Sequence, residues 1–394
     1  MIPECFSGCF LHVMTYFDIE GACAVARYYA PSSAAAPEPA LRGQAEWLAS
    51  RESSRNQKIR LMPDAHPGKI GPIGLAMTVG DSLLPGLVGI DMGCGVTLAK
   101  LRMKRRPDFG ALSAFAREQI PSGFAVREKP LPEALRFNFE RFRVLRHINL
   151  EGAQKSLGTL GGGNHFLEID RDQEGAFWLV VHSGSRRLGV EVAGRYMQLA
   201  SAQAAGTPDG KVPFEEAPLS GGLLTDYLLD LEGASSYAEA SRRAMLRLIC
   251  DGMRWKMESL LSIVHNYVDC SGTVPILRKG AISAKAGEPV AIPINMRDGI
   301  LLGVGLGNAE WNESAPHGAG RILRRDAVKS VLTVRQLRDE MKAAGIQSPS
   351  ISAETLDEAP EAYRALADIL PALAPTVRVS ARLKPVWCFK GGKG

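Results

Sequence analysis

Five of the chain's seven histidines stand in short motifs dense with glycine, amide and guanidinium side chains. His66 lies in Asp64-Ala65-His66-Pro67-Gly68, His165 in Gly163-Asn164-His165-Phe166, and His182 in Val181-His182-Ser183-Gly184-Ser185-Arg186. His265 lies in Val264-His265-Asn266, and His317 in Pro316-His317-Gly318-Ala319-Gly320-Arg321. A further cluster, Asp91-Met92-Gly93-Cys94-Gly95, offers a hard carboxylate oxygen and a soft thiolate from one tight turn. Imidazole, thiolate and carboxylate are transition-metal ligands, and amide and guanidinium groups beside them suit phosphate oxygens. Each motif taken singly also fits a satisfied core histidine or a turn-stabilising aspartate. Their company points to a centre that works on phosphates. The short-spaced Cys/His hairpins of a closed structural zinc site are missing, so an open, functional site is expected.

His317 differs from the other four. The small residues after it leave the imidazole accessible and bring Arg321 close, which suits a histidine nucleophile on phosphorus with a guanidinium neutralising the developing charge. A metal-ligating or helix-capping histidine is the alternative. No Gly-x-x-x-x-Gly-Lys-Ser/Thr loop exists, so any nucleotide is held by other means, and Gly303-x-Gly305-x-Gly307 reads as a turn.

The elements that must position these groups are those of an ordinary globular chain: 394 residues, 45% hydrophobic and 23% charged. The patterning predicts an α+β fold, a single compact domain with mixed β-sheets around a central metal and nucleotide cleft and helices around them. Residues 60–101 read as short strands between glycines, 177–182 as a buried strand delivering His182 to a turn, and 273–306 as β-rich. The i+4 repeat Met245, Ile249, Met253, Met257, Leu261 predicts one long helix over 236–265. Helices are expected over 333–344 and 358–371, the second opened by a capping box at Thr355-x-x-Glu358, and a strand over 376–389. Residues 29–41, with three prolines, read as a loop or linker. The division is therefore a variable N-terminal segment and linker over 1–45, whose first thirteen residues look like a ragged start, and a catalytic domain over 46–394.

Seven scattered cysteines predict reduced thiols, and the absence of a long apolar run or a recognisable leader predicts a cytoplasmic protein without membrane contact. A charge of +5 permits a polyanionic partner. Lys100–Arg106, Arg136–Arg146 with Phe137, Phe139 and Phe142, and Arg321–Arg325 are candidate phosphate-facing stretches or else solvated faces.

In order, the chain carries Met-Pro-Asp-x-His, Gly-x-Asp-x-Gly-Cys-Gly, Gly-Gly-Gly-Asn-His-Phe-x-Glu, His-Ser-Gly-Ser-Arg, His-Asn, Arg-Lys-Gly-Ala, His-Gly-Ala-Gly-Arg, Ala-Glu-Thr-Leu-Asp-Glu-Ala-Pro and a terminal Lys-Gly. This set resembles the RtcB family of RNA 3'-phosphate ligases. The resemblance implies an enzyme using GTP and two manganese ions to join RNA ends bearing a 3'-phosphate or 2',3'-cyclic phosphate to 5'-hydroxyl ends, in RNA repair or tRNA splicing. An archease-like protein is the implied activating partner. His317 would form the histidine–GMP intermediate. Cys94 would bridge the metals, with His182 and His265 completing one and Asp91 and His165 the other. Asn164, Asn266, Arg186 and Arg321 would meet phosphate oxygens, Asp64 would join Arg186 in the RNA-contacting set, Glu168 and Lys390 would face guanine, and Tyr363 would border it.

Departures from the family pattern are Ile294-Asn295-Met296-Arg297 in place of Gly-Ser-Met-Gly after Ile-Pro, and Ser314-Ala315-Pro316 in place of Ser-Cys-Ser. Gly392-Lys393-Gly394 extends the terminus, so Lys393 competes with Lys390. Two other functions fit the same residues. One is a binuclear metallophosphatase or cyclic phosphodiesterase, which needs no histidine nucleophile; the other is an RNA-binding protein with a vestigial metal site, disfavoured because every ligand type is present.

Overall fold

The glycine-punctuated run between residues 59 and 102 becomes four strands, Ile59–His66, Ile73–Thr78, the short Ser82–Leu83 and Gly95–Arg102. Short apolar stretches bounded by turn residues have little alternative. The computed structural model describes residues 15–31, 34, 36–206 and 212–392, and sorts the longer strands into two sheets. The six-stranded sheet runs Tyr16–Glu20, Val25–Tyr29, Ile59–His66, Ile73–Thr78, Ile276–Lys279, Asn266–Asp269, with Val25–Tyr29 and Ile59–His66 parallel. The seven-stranded sheet is antiparallel: Lys256–Val264, Gly95–Arg102, Phe177–Ser183, Phe166–Arg171, Val377–Lys390, Gly299–Gly305, Pro289–Asn295. With helices such as Arg186–Ala205 and Gly221–Met253 packed around them, this is the α+β architecture expected.

Alternation along the second sheet divides its faces. Leu167, Ile169, Leu179, Val181, Trp387 and Phe389 pack in one core with Leu112 and Ala116 of the Phe109–Gln119 helix and with Met245, Leu246 and Ile249 of the long helix. The intervening residues Phe166, Glu168 and Lys390 turn to the other side, into a cleft.

The long helix departs from expectation at both ends. It spans Gly221–Met253, Arg254 caps it in the left-handed region at φ 58°, and Lys256–Val264 is an edge strand. An i+4 spacing is also an even spacing, so in sequence Met257 and Leu261 fit regular strand alternation as well as helical periodicity; in the strand a bulge between Met257 and Ser259 sets them opposite Leu101 and Leu98, on different faces. The expected helix over 333–344 is Val334–Ala343, opened by a capping box of Thr333 and Gln336. Thr355 and Glu358 form no such box. The Thr355 hydroxyl donates to the Ser350 carbonyl, Pro360 follows in a 3-10 turn, and the helix covers Leu366–Leu373.

Residues 16–29 form a hairpin whose Ile19, Ala26 and Tyr28 enter the main core, and Tyr29 stacks on Trp311 with ring centroids 3.8 Å apart. The expected loop over 29–41 gives way to helix at Pro39. The first thirteen residues and Lys393 lie outside the described residues. Phe139 and Phe142 are buried, and Phe137 and Phe139 pack on Tyr237, so the aromatics of the 136–146 stretch are core and not a nucleic-acid platform. No helix among the described residues is long and apolar enough to cross a membrane.

Candidate metal and nucleotide centre

Strand register gathers the ligand-type residues at one end of the seven-stranded sheet. Val96 and Phe166 both pair with His182, and Gly95 pairs with Ser183 and Val264. Cys94 and His165 each precede the first residue of their strand, and His182 is next to last in its own. His265 is the single residue between a strand of one sheet and a strand of the other, and its N–H donates to the Cys94 carbonyl (3.0 Å).

Their donor atoms converge. Cys94 Sγ lies 3.3 Å from His182 Nε2 and 3.5 Å from His165 Nε2. His182 Nε2 is 3.1 Å from His265 Nε2, and His165 Nε2 is 3.3 Å from Asp91 Oδ2. The His182 Nδ1–H donates to the Asn164 carbonyl (3.0 Å), which leaves the Nε2 lone pair facing the Nε2 of His265. Lone pairs aimed at one another in a buried space require a proton or a cation between them. Cys94, His182 and His265 form one ligand triad and Asp91, Cys94 and His165 another, so the set fits two ions sharing one sulfur.

The electrostatics agree. Burial holds His182 and His265 well below the ordinary imidazole range, so both are neutral and ligand-ready. Burial and the neighbouring Asp91 push the Cys94 thiol well above its usual value. Burial acts to raise Asp91 also, but His165 outweighs it and the carboxyl falls to about 2. Positive charge is what this group lacks, and bound divalent ions would deprotonate the thiol.

Backbone support fixes the two ligand turns. Arg242, fully buried on the long helix, donates to the carbonyls of Gly93 (2.9 Å) and Ser183 (2.8 Å) and to Thr97 Oγ1 (2.9 Å). A Cβ at Gly184 would stand 1.8 Å from Asp91 Oδ1, so a side chain there would displace the carboxylate.

His317 lies beside this group without joining it. Its ring centroid is 5.0 Å from that of His265, and its Nδ1 is 2.8 Å from Asp64 Oδ2, out of line for a conventional hydrogen bond. The same oxygen accepts from the N–H groups of His317 and Gly318 (both 3.1 Å). With Nδ1 turned to the carboxylate, Nε2 faces the other way. Gly280, at φ 61°, makes room: a Cβ there would sit 3.1 Å from His317 Cε1 and 3.0 Å from the Gly74 nitrogen.

The cavity, of about 410 Å³, extends from the convergent donors past His317 to a second charged group. That volume suits a nucleotide-sized ligand. At its far side the Tyr363 hydroxyl donates to Glu358 Oε2 (2.6 Å) and accepts from Arg321 (3.0 Å). Arg325 donates to Glu358 Oε1 (2.6 Å), and the Lys390 ammonium is 3.5 Å from Glu358 Oε2 and 4.9 Å from the Phe166 ring centre. Burial opposes ionisation of Glu358, but Lys390, Arg325 and Arg321 pull it to about 2.

Residues 49–133 and 133–391 match the family described as tRNA-splicing ligase RtcB. The chain belongs to the RtcB family. It is 29% identical to the RNA-splicing ligase RtcB of Escherichia coli K12 over 371 residues, covering 84% of this chain and 90% of that protein. The tRNA-splicing ligase RtcB of Aeropyrum pernix is 27% identical, with 84% of this chain and 87% of that one covered.

Within this RtcB-family chain the structure gathers Asp91, Cys94, His182 and His265 in one cavity wall with Asn164, Glu168, Asn266, His317, Arg321, Tyr363 and Lys390. Asp64 and Asn266 have partners within the protein. Asp64, placed among RNA- or phosphate-contacting residues, is fully buried under His317, where its charge orients the imidazole. Asn266 lines the cavity and donates its amide to the carbonyls of Val88 (2.9 Å) and Asp91 (2.7 Å). Arg186 donates to the Gly123 carbonyl (2.7 Å) and stands with His165 around Gly161, behind the ligands.

Asn295 is consumed by its own turn, accepting from the N–H groups of Arg297 and Asp298, and Arg297 pairs with Asp298 and Glu340. Ser314–Pro316 pairs with Ala281–Ser283 in a buried ladder. Lys100–Arg106 lies at and beyond the end of Gly95–Arg102 remote from Cys94, about 20 Å along the strand.

Three cavity or support residues escaped the sequence reading: Lys279, Glu358 and Arg242. Burial lowers Lys279 to about 8, and its ammonium donates to the Ile70 carbonyl at the cavity wall. Its place in Arg278-Lys279-Gly280 was the available signal; for Glu358 the capping-box spacing misled.

Proposed function

We propose that the protein is an RNA ligase that joins 3'-phosphate or 2',3'-cyclic phosphate ends to 5'-hydroxyl ends through a histidine–GMP intermediate, consuming GTP and using two manganese ions. The observation that supports this most is His317: it borders the cavity, it is outside the convergent ligand set, and a buried carboxylate orients it. A hydrolase built on the same donors would have no use for that arrangement.

Divalent ions held by Asp91, Cys94, His165, His182 and His265 would neutralise phosphate charge and polarise the phosphorus centres. His317 Nε2 attacks the α-phosphorus of GTP; the N–P bond forms, the α–β bridging bond breaks and pyrophosphate leaves. Asp64 stabilises the positive charge that develops on the ring. An RNA 3'-phosphate oxygen then takes the GMP from His317, a cyclic end having first been opened by water. The 5'-hydroxyl finally attacks the 3'-phosphorus and releases GMP. Arg321 and Lys390 supply fixed positive charge along the cavity, and Glu168 is the acceptor for the N1–H and N2–H of guanine. RNA repair or tRNA splicing, a cytoplasmic location and an archease-like activator belong to the same proposal.

Mass spectrometry after incubation with GTP and manganese tests it. A GMP adduct on His317 is expected; release of phosphate from RNA ends without any adduct would select the metallophosphatase instead.

A further inference from the structure

The cleft-facing side of Phe166–Arg171 carries Glu168 and, two residues on, Asp170. Both are buried, Asp170 completely. Among the described residues neither Asp170 oxygen meets a donor, and its hydrogen-bonding neighbour is the carboxyl of Glu168. Carboxylates accept and do not donate, so a buried contact between two of them requires a proton on one. An ionised Asp170 buried without a donor would be far costlier than a protonated one.

The surroundings decide which member keeps the proton. Glu168 has the Cys388 thiol as a second hydrogen-bonding neighbour and the positive charge of Lys390, which is itself shared with Glu358. Asp170 has Glu168 alone. The proton therefore resides on Asp170, and Glu168 is the member that ionises near neutrality.

We propose that Glu168 and Asp170 form a proton-sharing pair in which Asp170 donates to Glu168, and that this pair makes base selection in the cavity depend on pH. It rests on the reading of Glu168 as the base-facing acceptor and adds Asp170 as a positioning residue. An ionised Glu168 takes the N1–H and N2–H donors of guanine. A protonated Glu168 presents one donor and one acceptor, the complement of N1 and the N6 amino group of adenine.

Burial raises Glu168 to about 7 and Asp170 well above its ordinary value. Glu168 is thus neutral below about pH 7 and ionised above it. The other titratable groups around it do not change charge in that interval. Cys388 on the paired strand and Tyr363 across the cavity are both pushed up by burial, Glu358 is held low, and His182 is held neutral. Arg321 and Arg325 complete the far wall.

The test is the ratio of GTP to ATP affinity in the presence of manganese, measured by titration calorimetry from about pH 6 to about pH 8. The ionised fraction of Glu168 rises from about one tenth to about nine tenths over that range while the neutral fraction falls correspondingly, so GTP affinity should rise about tenfold, ATP affinity fall about tenfold, and their ratio rise about a hundredfold. In Asp170→Asn a permanent N–H donor replaces the shared proton, and guanine preference should persist at the acid end with a flattened profile. Infrared spectra of the nucleotide-free protein should show a protonated-carboxyl band at neutral pH that Asp170→Asn removes. A flat wild-type ratio, an unaltered slope in the variant, or a surviving band overturns the pair. Should Asp170→Asn fail to fold, the wild-type profile decides alone. A pH-dependent ratio without any GMP adduct would refute the ligase and leave this pair standing; an adduct with a pH-independent ratio would do the reverse.

Discussion

Asp64→Asn isolates what the buried carboxylate does for His317. The substitution keeps the shape and can still accept from the N–H groups of His317 and Gly318, both at 3.1 Å. Two things are lost. The carboxylate lies 2.8 Å from Nδ1, and charge centres about 4 Å apart interact by about 4 kcal/mol at an effective dielectric of about 20, a magnitude suited to a ring that is mostly shielded from water. That interaction develops as the imidazole becomes positive during attack, so its loss slows the step by about 10³-fold. Flipped so that its amide nitrogen takes the place of Oδ2, the asparagine would instead give up those two N–H contacts and favour the tautomer with its proton on Nε2, the nitrogen that must attack. The assay is the single-turnover rate of transfer from GTP labelled on its α-phosphate to protein, at saturating GTP and manganese, beside metal content and thermal unfolding. Asp64 is outside both ligand triads, so metal content should equal that of the wild type. Adduct formation within about threefold of wild type, below about 0.7 kcal/mol, would refute the orienting role, and loss of metal would mean that Asp64 acts on the ligands.

His317→Ala should bind manganese and RNA as the wild type does, form no protein–GMP adduct, and still seal RNA already bearing a 3'-GMP cap; adduct mapping and a sealing assay on capped RNA check this, and loss of metal would refute it. Cys94→Ala should lose both ions and activity together because one sulfur serves both triads; metal analysis of the purified variant showing two ions at wild-type affinity would remove Cys94 from the bridging position. Trp311→Ala removes a buried ring stacked on Tyr29 and should cost about 3–5 kcal/mol in denaturant unfolding; a cost below about 1 kcal/mol would show that the stack does not pin the N-terminal hairpin.

What could be read from the sequence was chemistry confined to a few consecutive residues. Asp91 and Cys94 stand out because a thiolate and a carboxylate share one glycine-rich turn in a chain that also carries the histidine motifs; alone, that turn fits a buried cysteine beside a turn-stabilising aspartate equally well. His182 does so because a buried strand ends on it. Strand existence was legible for the same local reason, whereas the end of the long helix was not: a spacing of four residues suits one face of a helix and one face of a regular strand alike, and only the left-handed Arg254 and the bulged pairing of Lys256–Val264 with Gly95–Arg102 choose between them. Roles set by a partner distant in sequence were illegible. Nothing near Asn266 reveals that Val88 and Asp91 absorb its donors, and nothing near Asp64 reveals His317 above it. Asp170 is the extreme case. In sequence it is one more charged residue at a strand end, and its meaning comes from what the fold withholds: among the described residues no donor reaches its carboxyl, and the neighbour it meets is the Glu168 carboxyl. On the proposed mechanism the cavity's motif residues supply the atoms for bond making, while tautomer, charge and protonation depend on supporting residues: Asp64, which lies in a motif but is buried beneath His317, and Arg242 and Asp170, which lie in none. Changes at these supporting positions should therefore shift rates, pH profiles and base preference while the motif residues stay intact.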